Sequence, residues 1–282
     1  MPQAREHQTI QSESNDMTVT RFKTLSLHQA LLAAAIATAV LATSGRLSAQ
    51  PISVPNFSFE SQSAAGFPFG ANPSVASWTK IAEPAYFTPA FGGFGIPWFG
   101  TAGVFIDTNP YANHLGTQAG YILAFPQVTL FQDYNSSPTH DFDATYQVGM
   151  SYHLTIGLFG KPNIAPGSTL QLSLYYRDGL DNKVTVGLTT ATYSLAAFPT
   201  NAPLSLIDYA VNVPTVLASD AWAGQKIGIQ MESTIPIELT SGGNWDFDNV
   251  RLTAVPEPAS LSLLGLGFGG WVLVRSRSRL RA

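Results

Sequence analysis

The chain has 282 residues, 45% hydrophobic and only 11% charged, with no cysteine and a formal net charge of −4. Eight of the 14 Lys+Arg lie in the terminal segments, whereas residues 50–255 hold 14 of the 18 Asp+Glu, so this body carries a net −8. That balance excludes nucleic acid and other polyanions and suits divalent cations or neutral ligands, and without disulfides stability must come from core size or a bound metal.

Residues 1–16 are polar. Arg21 and Lys23 then precede an alanine-rich apolar segment from Ala30 to Ala42, and Leu47-Ser48-Ala49 places small residues before Gln50. This order is a secretory signal peptide, read as residues 1–49, and its proportions are normal if Met17 is the start. Residues 50–254 then make one domain, long enough to bury its own core.

The segment from Gly66 to Pro110 is rich in Phe, Gly and Pro and too irregular for long strands, so it is expected to form extended loops. Its aromatic residues are candidate sugar platforms: Tyr86, Phe91 and Trp98, with Tyr111 just beyond. For each of them the alternative is a place in the core, and Trp78, in a Ser-Trp-Thr strand, is read as core. Downstream, Gln127–Gln132, Tyr152–Leu158 and Leu170–Tyr176 alternate with the period of half-buried strands. Arg177–Lys183 is a turn in which Asp178-Gly179 is expected to supply the positive φ, and Val184–Val186 begins the return strand. Ile227–Met231 and Phe247–Leu252 are the closing strands. Short strands joined by Gly/Pro-rich connections with almost no helical periodicity indicate an all-β fold, a jelly-roll β-sandwich.

The last 28 residues are of another kind. Val255-Pro256-Glu257-Pro258 leads into the apolar run 259–274, followed by Arg275, Arg277, Arg279 and Arg281. At about 1.5 Å per residue the run makes a helix of roughly 24 Å, a marginal single transmembrane helix against a core of roughly 30 Å. The arginines favour the cytoplasmic side, which puts the body outside the inner membrane. The glycines at 265, 267, 269 and 270 lie inside this run with no strand before them, so they are no phosphate loop.

Pro256, Glu257 and Pro258 with the helix and basic tail resemble the PEP-CTERM sorting signal of exported bacterial proteins. The resemblance implies cutting by an exosortase-type membrane protease, transient anchoring in the inner membrane, and delivery to the cell surface or extracellular matrix in association with exopolysaccharide. A second resemblance spans the body: Pro55-Asn56-Phe57-Ser58-Phe59-Glu60, Ser77-Trp78-Thr79, Tyr152-His153-Leu154-Thr155 and Trp245-Asp246-Phe247-Asp248-Asn249-Val250 are similar to the frame of carbohydrate-binding-module jelly rolls. Among these it looks like the calcium-dependent indole-alkaloid cyclases. It implies a structural calcium held by Glu60 and Asp248 with a backbone carbonyl near Asn56, in line with calcium's demand for hard oxygens. It also implies Asp246 as a general acid. The simpler accounts are strand-end carboxylates for Glu60 and Asp248, and a solvated or calcium-associated carboxylate for Asp246.

Other chemistry is thin. His140-Asp141-Phe142-Asp143 with Asp133 reads as a second cation site or, more simply, as a polar loop. His114, His140 and His153 lack zinc-site spacing, there is no Gly-x-Ser-x-Gly elbow, and no particular carboxylate pair is nominated for glycoside hydrolysis. Three functions stay open: a calcium-stabilised module bound to extracellular polysaccharide, an enzyme of the cyclase or polysaccharide hydrolase/lyase type using Asp246, or a structural surface protein without a ligand.

Overall fold

The computed structural model describes residues 48–257 apart from 68–69, 89–94, 109–110, 201–203 and 241. The signal helix, the transmembrane run 259–274, Pro258 and Phe91 therefore lie outside the described residues. Twelve strands are described: β1 (Gln50–Ile52), β2 (Ala71–Asn72), β3 (Thr79–Lys80), β4 (Ala102–Ile106), β5 (Gln118–Leu123), β6 (Thr129–Gln132), β7 (Met150–Gly160), β8 (Thr169–Arg177), β9 (Lys183–Thr192), β10 (Ile207–Val213), β11 (Gly228–Ser233) and β12 (Asn244–Pro256). They form two antiparallel sheets, a larger one in the order β10-β7-β12-β5-β4-β2 with β1 on β12, and a smaller one in the order β3-β6-β11-β8-β9. The result is a jelly-roll β-sandwich, with no α-helix among the described residues.

The core lies between the sheets. Leu154, Ile156 and Leu158 of β7, Leu170, Leu172 and Leu174 of β8, and Ile229 and Met231 of β11 are fully buried, the inward half of each alternating strand. Aromatic rings join the layers: Phe247 meets Phe59 edge-on at 5.0 Å, and Phe59 reaches Trp78 at 5.7 Å. Trp78 is core, as its strand context suggested. The segment 66–110 is mostly loop but contributes β2, β3 and β4.

Two local features depart from the sequence reading. In the β8–β9 hairpin the left-handed residue is Asp181 (φ 65°), not Gly179. The Asp178 carboxylate accepts the N–H groups of Leu180 and Asn182, each at 2.9 Å, closing a longer loop from within and passing the left-handed position down the chain. In β12 the register with β7 shifts between Asp248 and Arg251, and Asn249 takes φ 57°. One inserted residue reverses which side chains face inward. Trp245 and Phe247 point into the core before the bulge and Leu252 and Ala254 after it, which leaves Asp246 and Asp248 on the outer face.

β1 pairs with the end of β12, Gln50 opposite Ala254, so first and last strands are neighbours. β12 runs on through Val255 and Pro256, the latter opposite Met150, so the sorting sequence starts inside the sheet.

Candidate functional site

Asp246 stands on the outer face of the larger sheet, opposite Tyr121 of β5 and Phe159 of β7. Its side chain is nevertheless fully buried, beneath Tyr111 and Lys161. The Lys161 ammonium lies 2.7 Å from Oδ2, the Tyr111 hydroxyl donates to the same oxygen at 2.5 Å, and the Asn244 amide donates to Oδ1. Burial pushes the Asp246 carboxyl up to about 6, against the pull of Lys161 and Tyr111. At neutral pH the group is chiefly a carboxylate, ion-paired to lysine, and acting as an acid would require that pair to part.

Lys161 is the open side of this arrangement, 31% exposed, with its ammonium 5.4 Å from the Tyr111 ring and 5.7 Å from the Phe105 ring. Phe105 and Tyr121 are both partly exposed and meet edge-on at 6.3 Å. Gly103 faces Tyr121 across β4 and β5, and a Cβ there would collide with that ring and with the Asn72 carbonyl. The outer face thus offers two half-open rings beside a lysine–aspartate pair.

Of the four aromatic candidates, Phe91 is not described. Trp98 is buried, donating from its indole to the Ile81 carbonyl at 3.0 Å and packing edge-on against Phe87 at 5.0 Å. It is a core residue with no open face. Tyr111 is also buried, and its contribution is the hydroxyl on Asp246 rather than a platform. Tyr86 is partly exposed and its hydroxyl donates to the Pro126 carbonyl. Sequence reasoning missed Phe105, Tyr121 and Lys161; the exposure of Tyr121 in an otherwise buried β5 emerges only from the structure.

Asp248 and Glu60 converge on one turn. Asp248 Oδ2 accepts the Leu115 N–H at 2.6 Å and lies 3.9 Å from His114 Nε2. Glu60 Oε1 accepts the N–H groups of Thr117 at 2.7 Å and Gln118 at 2.5 Å, while Oε2 has a longer contact with the Thr117 hydroxyl at 3.3 Å. Asp248 Oδ1 is buried without a hydrogen-bond partner. Burial raises the Asp248 pKa and the nearby Glu60 charge pushes the same way. A buried carboxylate oxygen without a partner fits a hard cation, for which Asp248 and Glu60 would supply carboxylate oxygens. The Asn56 side chain is committed elsewhere, its amide donating to Gln62 and to the Ala76 carbonyl and its oxygen accepting Ser61 N–H, while its backbone carbonyl accepts one N–H, from Phe59 at 3.2 Å, and keeps a second lone pair. Among the described residues no group of three or more His, Cys, Asp or Glu side chains converges, so any cation here needs backbone oxygens as well.

The 133–143 segment is a polar loop. Asp133 is taken by Tyr175 at 2.5 Å and Arg177 at 2.8 Å, Asp141 by Thr139 at 2.6 Å, Asp143 by Lys226, and His140 by the Tyr134 carbonyl at 2.6 Å.

Among solved structures the chain is similar to a cyclase from Fischerella sp. TAU, at 18% identity over 74% of this chain and 98% of that one, TM-score 0.46. It is similar to the CBM22-1 xylan-binding domain of Paenibacillus barcinonensis Xyn10C, at 11% identity over 64% and 87%, TM-score 0.38. TmCBM61 in complex with beta-1,4-galactotriose shares 13% identity over 72% and 97%, TM-score 0.38. Identities this low concern the fold alone. Comparison with curated proteins finds no match. At the C-terminus, residues 254–278 carry the PEP-CTERM protein-sorting motif, the mark of an exported protein sorted through a C-terminal membrane anchor.

Proposed function

We propose that this exported protein is a calcium-stabilised carbohydrate-binding module of the cell surface or extracellular matrix, released from its anchor by an exosortase-type protease and associated with exopolysaccharide. The observation that carries the binding role is the outer face of the larger sheet, where the half-open rings of Phe105 and Tyr121 flank the Lys161–Asp246 pair. Pyranose rings present C–H faces that stack on aromatic side chains, while their hydroxyls need donors and acceptors held at fixed positions. Lys161 supplies the donor, and Asp246, kept in place by Tyr111 and Asn244, orients it. The net charge of −8 on residues 50–255 favours neutral polysaccharides over acidic ones. Calcium, held through Asp248 and Glu60, would tie the outer-face turn to the sheet.

The test is affinity electrophoresis of the exported chain through gels containing a panel of neutral polysaccharides, in millimolar calcium. Retardation by at least one polymer, lost in Tyr121→Ala and in Lys161→Ala, is expected. Unretarded migration of the wild type through the whole panel would overturn the binding role. The cyclase-like reading, with Asp246 as acid, is disfavoured by the lysine at 2.7 Å.

A further inference from the structure

A cleft of about 210 Å³ opens at one end of the smaller sheet, away from the Lys161–Asp246 pair. Four segments enclose it: residues 133–135 after β6, the end of β8 at Tyr175 and Arg177, the β8–β9 turn at Asp178 and Asp181, and residues 225–226 before β11. Its most buried members hold one another. The Asp133 carboxylate, 3% exposed, accepts Asn135 N–H at 2.9 Å on one oxygen, and the Tyr175 hydroxyl at 2.5 Å and Arg177 Nε at 2.8 Å on the other. Arg177 Nη1 donates to the Asp181 carbonyl at 3.0 Å, which leaves Nη2 without an acceptor among the described residues. The Tyr134 ring is stacked on His140 with centroids 3.8 Å apart, and its hydroxyl has no partner among the described residues. A further ion gains little here. Arg177 is already paired with Asp133 and Asp181, Lys226 is paired with Asp143, and Asp178 adds a negative charge.

We propose that this cleft is a second glycan site, taking one neutral sugar unit independently of the face around Lys161. It rests on the reading of the protein as a carbohydrate-binding module. The volume lies below the roughly 300–1,000 Å³ of drug-sized pockets, so it suits a single sugar ring rather than a run of them. The free Arg177 N–H groups and the Tyr134 hydroxyl are donors, and the Asp178 and Asp181 carboxylates are acceptors, the pairing that neighbouring sugar hydroxyls require. No residue of the cleft belongs to the larger sheet, so the two sites can be altered separately.

Saturation-transfer difference NMR of the exported chain with millimolar D-glucose, D-galactose, D-mannose or D-glucuronate tests this. Transfer to at least one of the three neutral hexoses is expected, unchanged in Tyr121→Ala and abolished in Tyr134→Ala. Tyr134→Phe keeps the stack on His140 and loses only the hydroxyl, so it guards against a folding defect; there the transfer should fall several-fold. Transfer that is lost in Tyr121→Ala but intact in both Tyr134 variants would overturn the cleft and leave the outer-face site standing. Stronger transfer to glucuronate than to any hexose would overturn the neutral class. No transfer to any hexose would also overturn the cleft, whereas retardation of the wild type in the polysaccharide gels would still uphold the broader carbohydrate reading.

Discussion

The Lys161–Asp246 pair makes a quantitative claim about the candidate site. Lys161→Met keeps the aliphatic stem but leaves the carboxylate buried without its cation. Removing one member of a buried ion pair costs about 3–5 kcal/mol. Here the lysine is 31% exposed and Tyr111 and Asn244 still donate to the carboxylate, so the expected cost falls to about 2–3 kcal/mol. Asp246→Asn leaves a lysine that can turn to water, and costs about 1–2 kcal/mol through the lost charge-assisted hydrogen bonds. The double variant removes both charges and should be less destabilised than the sum, by about 1–2 kcal/mol. Urea unfolding of the four proteins at pH 7 measures each term. For a domain of this size, 2–3 kcal/mol also appears as a fall in Tm of roughly 4–12 °C. A Lys161→Met protein within about 0.5 kcal/mol of wild type, or strict additivity in the double variant, would show the pair to be uncoupled.

Three further outcomes follow from the geometry. Millimolar calcium should raise Tm over chelator-treated protein by roughly 5–10 °C, since a ligand at a hundredfold excess over its Kd contributes about 2.7 kcal/mol, and Asp248→Asn should abolish the shift; identical melting curves in wild type would remove the metal. Gly120→Ala should destabilise by about 1–3 kcal/mol, because the new Cβ overlaps the buried Phe247 ring opposite it, and Phe247→Leu should restore much of the loss; a Gly120→Ala cost unchanged by that second substitution would refute the steric account. Burial lowers the Lys183 pKa to about 8, so the unfolded chain holds the extra proton above that pH and stability should rise from pH 8 to 9.5. Partial exposure, and the Phe131 ring 3.3 Å from its ammonium, reduce the effect to about 1 kcal/mol; a Lys183→Met protein with the same pH dependence as wild type would contradict it.

The parts of the fold legible in the sequence were those where one strand carries its own pattern. β7, β8 and β11 alternate in sequence because one face of each lines the core with large aliphatic side chains, Leu154, Ile156 and Leu158, Leu170, Leu172 and Leu174, and Ile229 and Met231. β4 and β5 were hidden by Gly103 and Gly120, residues that weaken strand propensity and are required by rings on neighbouring strands. β12 was recognised in part, but its bulge at Asn249 is invisible to a period-2 count, and the bulge is what brings Val250 and Leu252 inward after Phe247. Within the site, the carboxylates stood out because acidic residues in an aromatic strand are conspicuous. Lys161 did not, since nothing local announces a partner on a distant strand. Trp98 was left between platform and core for the converse reason, and its burial gives it the core place: composition marks an aromatic residue but not which side of its loop is wet.

The three carboxylates gain a common purpose from the turn they share. Tyr111 is held by Asp246, Leu115 by Asp248, and Thr117 and Gln118 by Glu60. The Gln118 side chain continues the chain of contacts to Phe59, Ala64 and Gln62 near the start of the domain. Residues 111–118 are therefore pinned to both the first and the last segments of the body, with Glu60 Oε1 taken by two N–H groups and Oε2 making only the longer Thr117 contact. Asp248 is less fully engaged, because one of its oxygens holds Leu115 and the other has no partner. The case for calcium rests on that oxygen, and the case for carbohydrate on Tyr121, Phe105 and Lys161. These are different atoms, so the melting and retardation experiments can fail independently. Their coupling runs only through the turn: a cation at Asp248 would stiffen the segment that carries Tyr111, and Tyr111 in turn fixes Asp246 beneath Lys161.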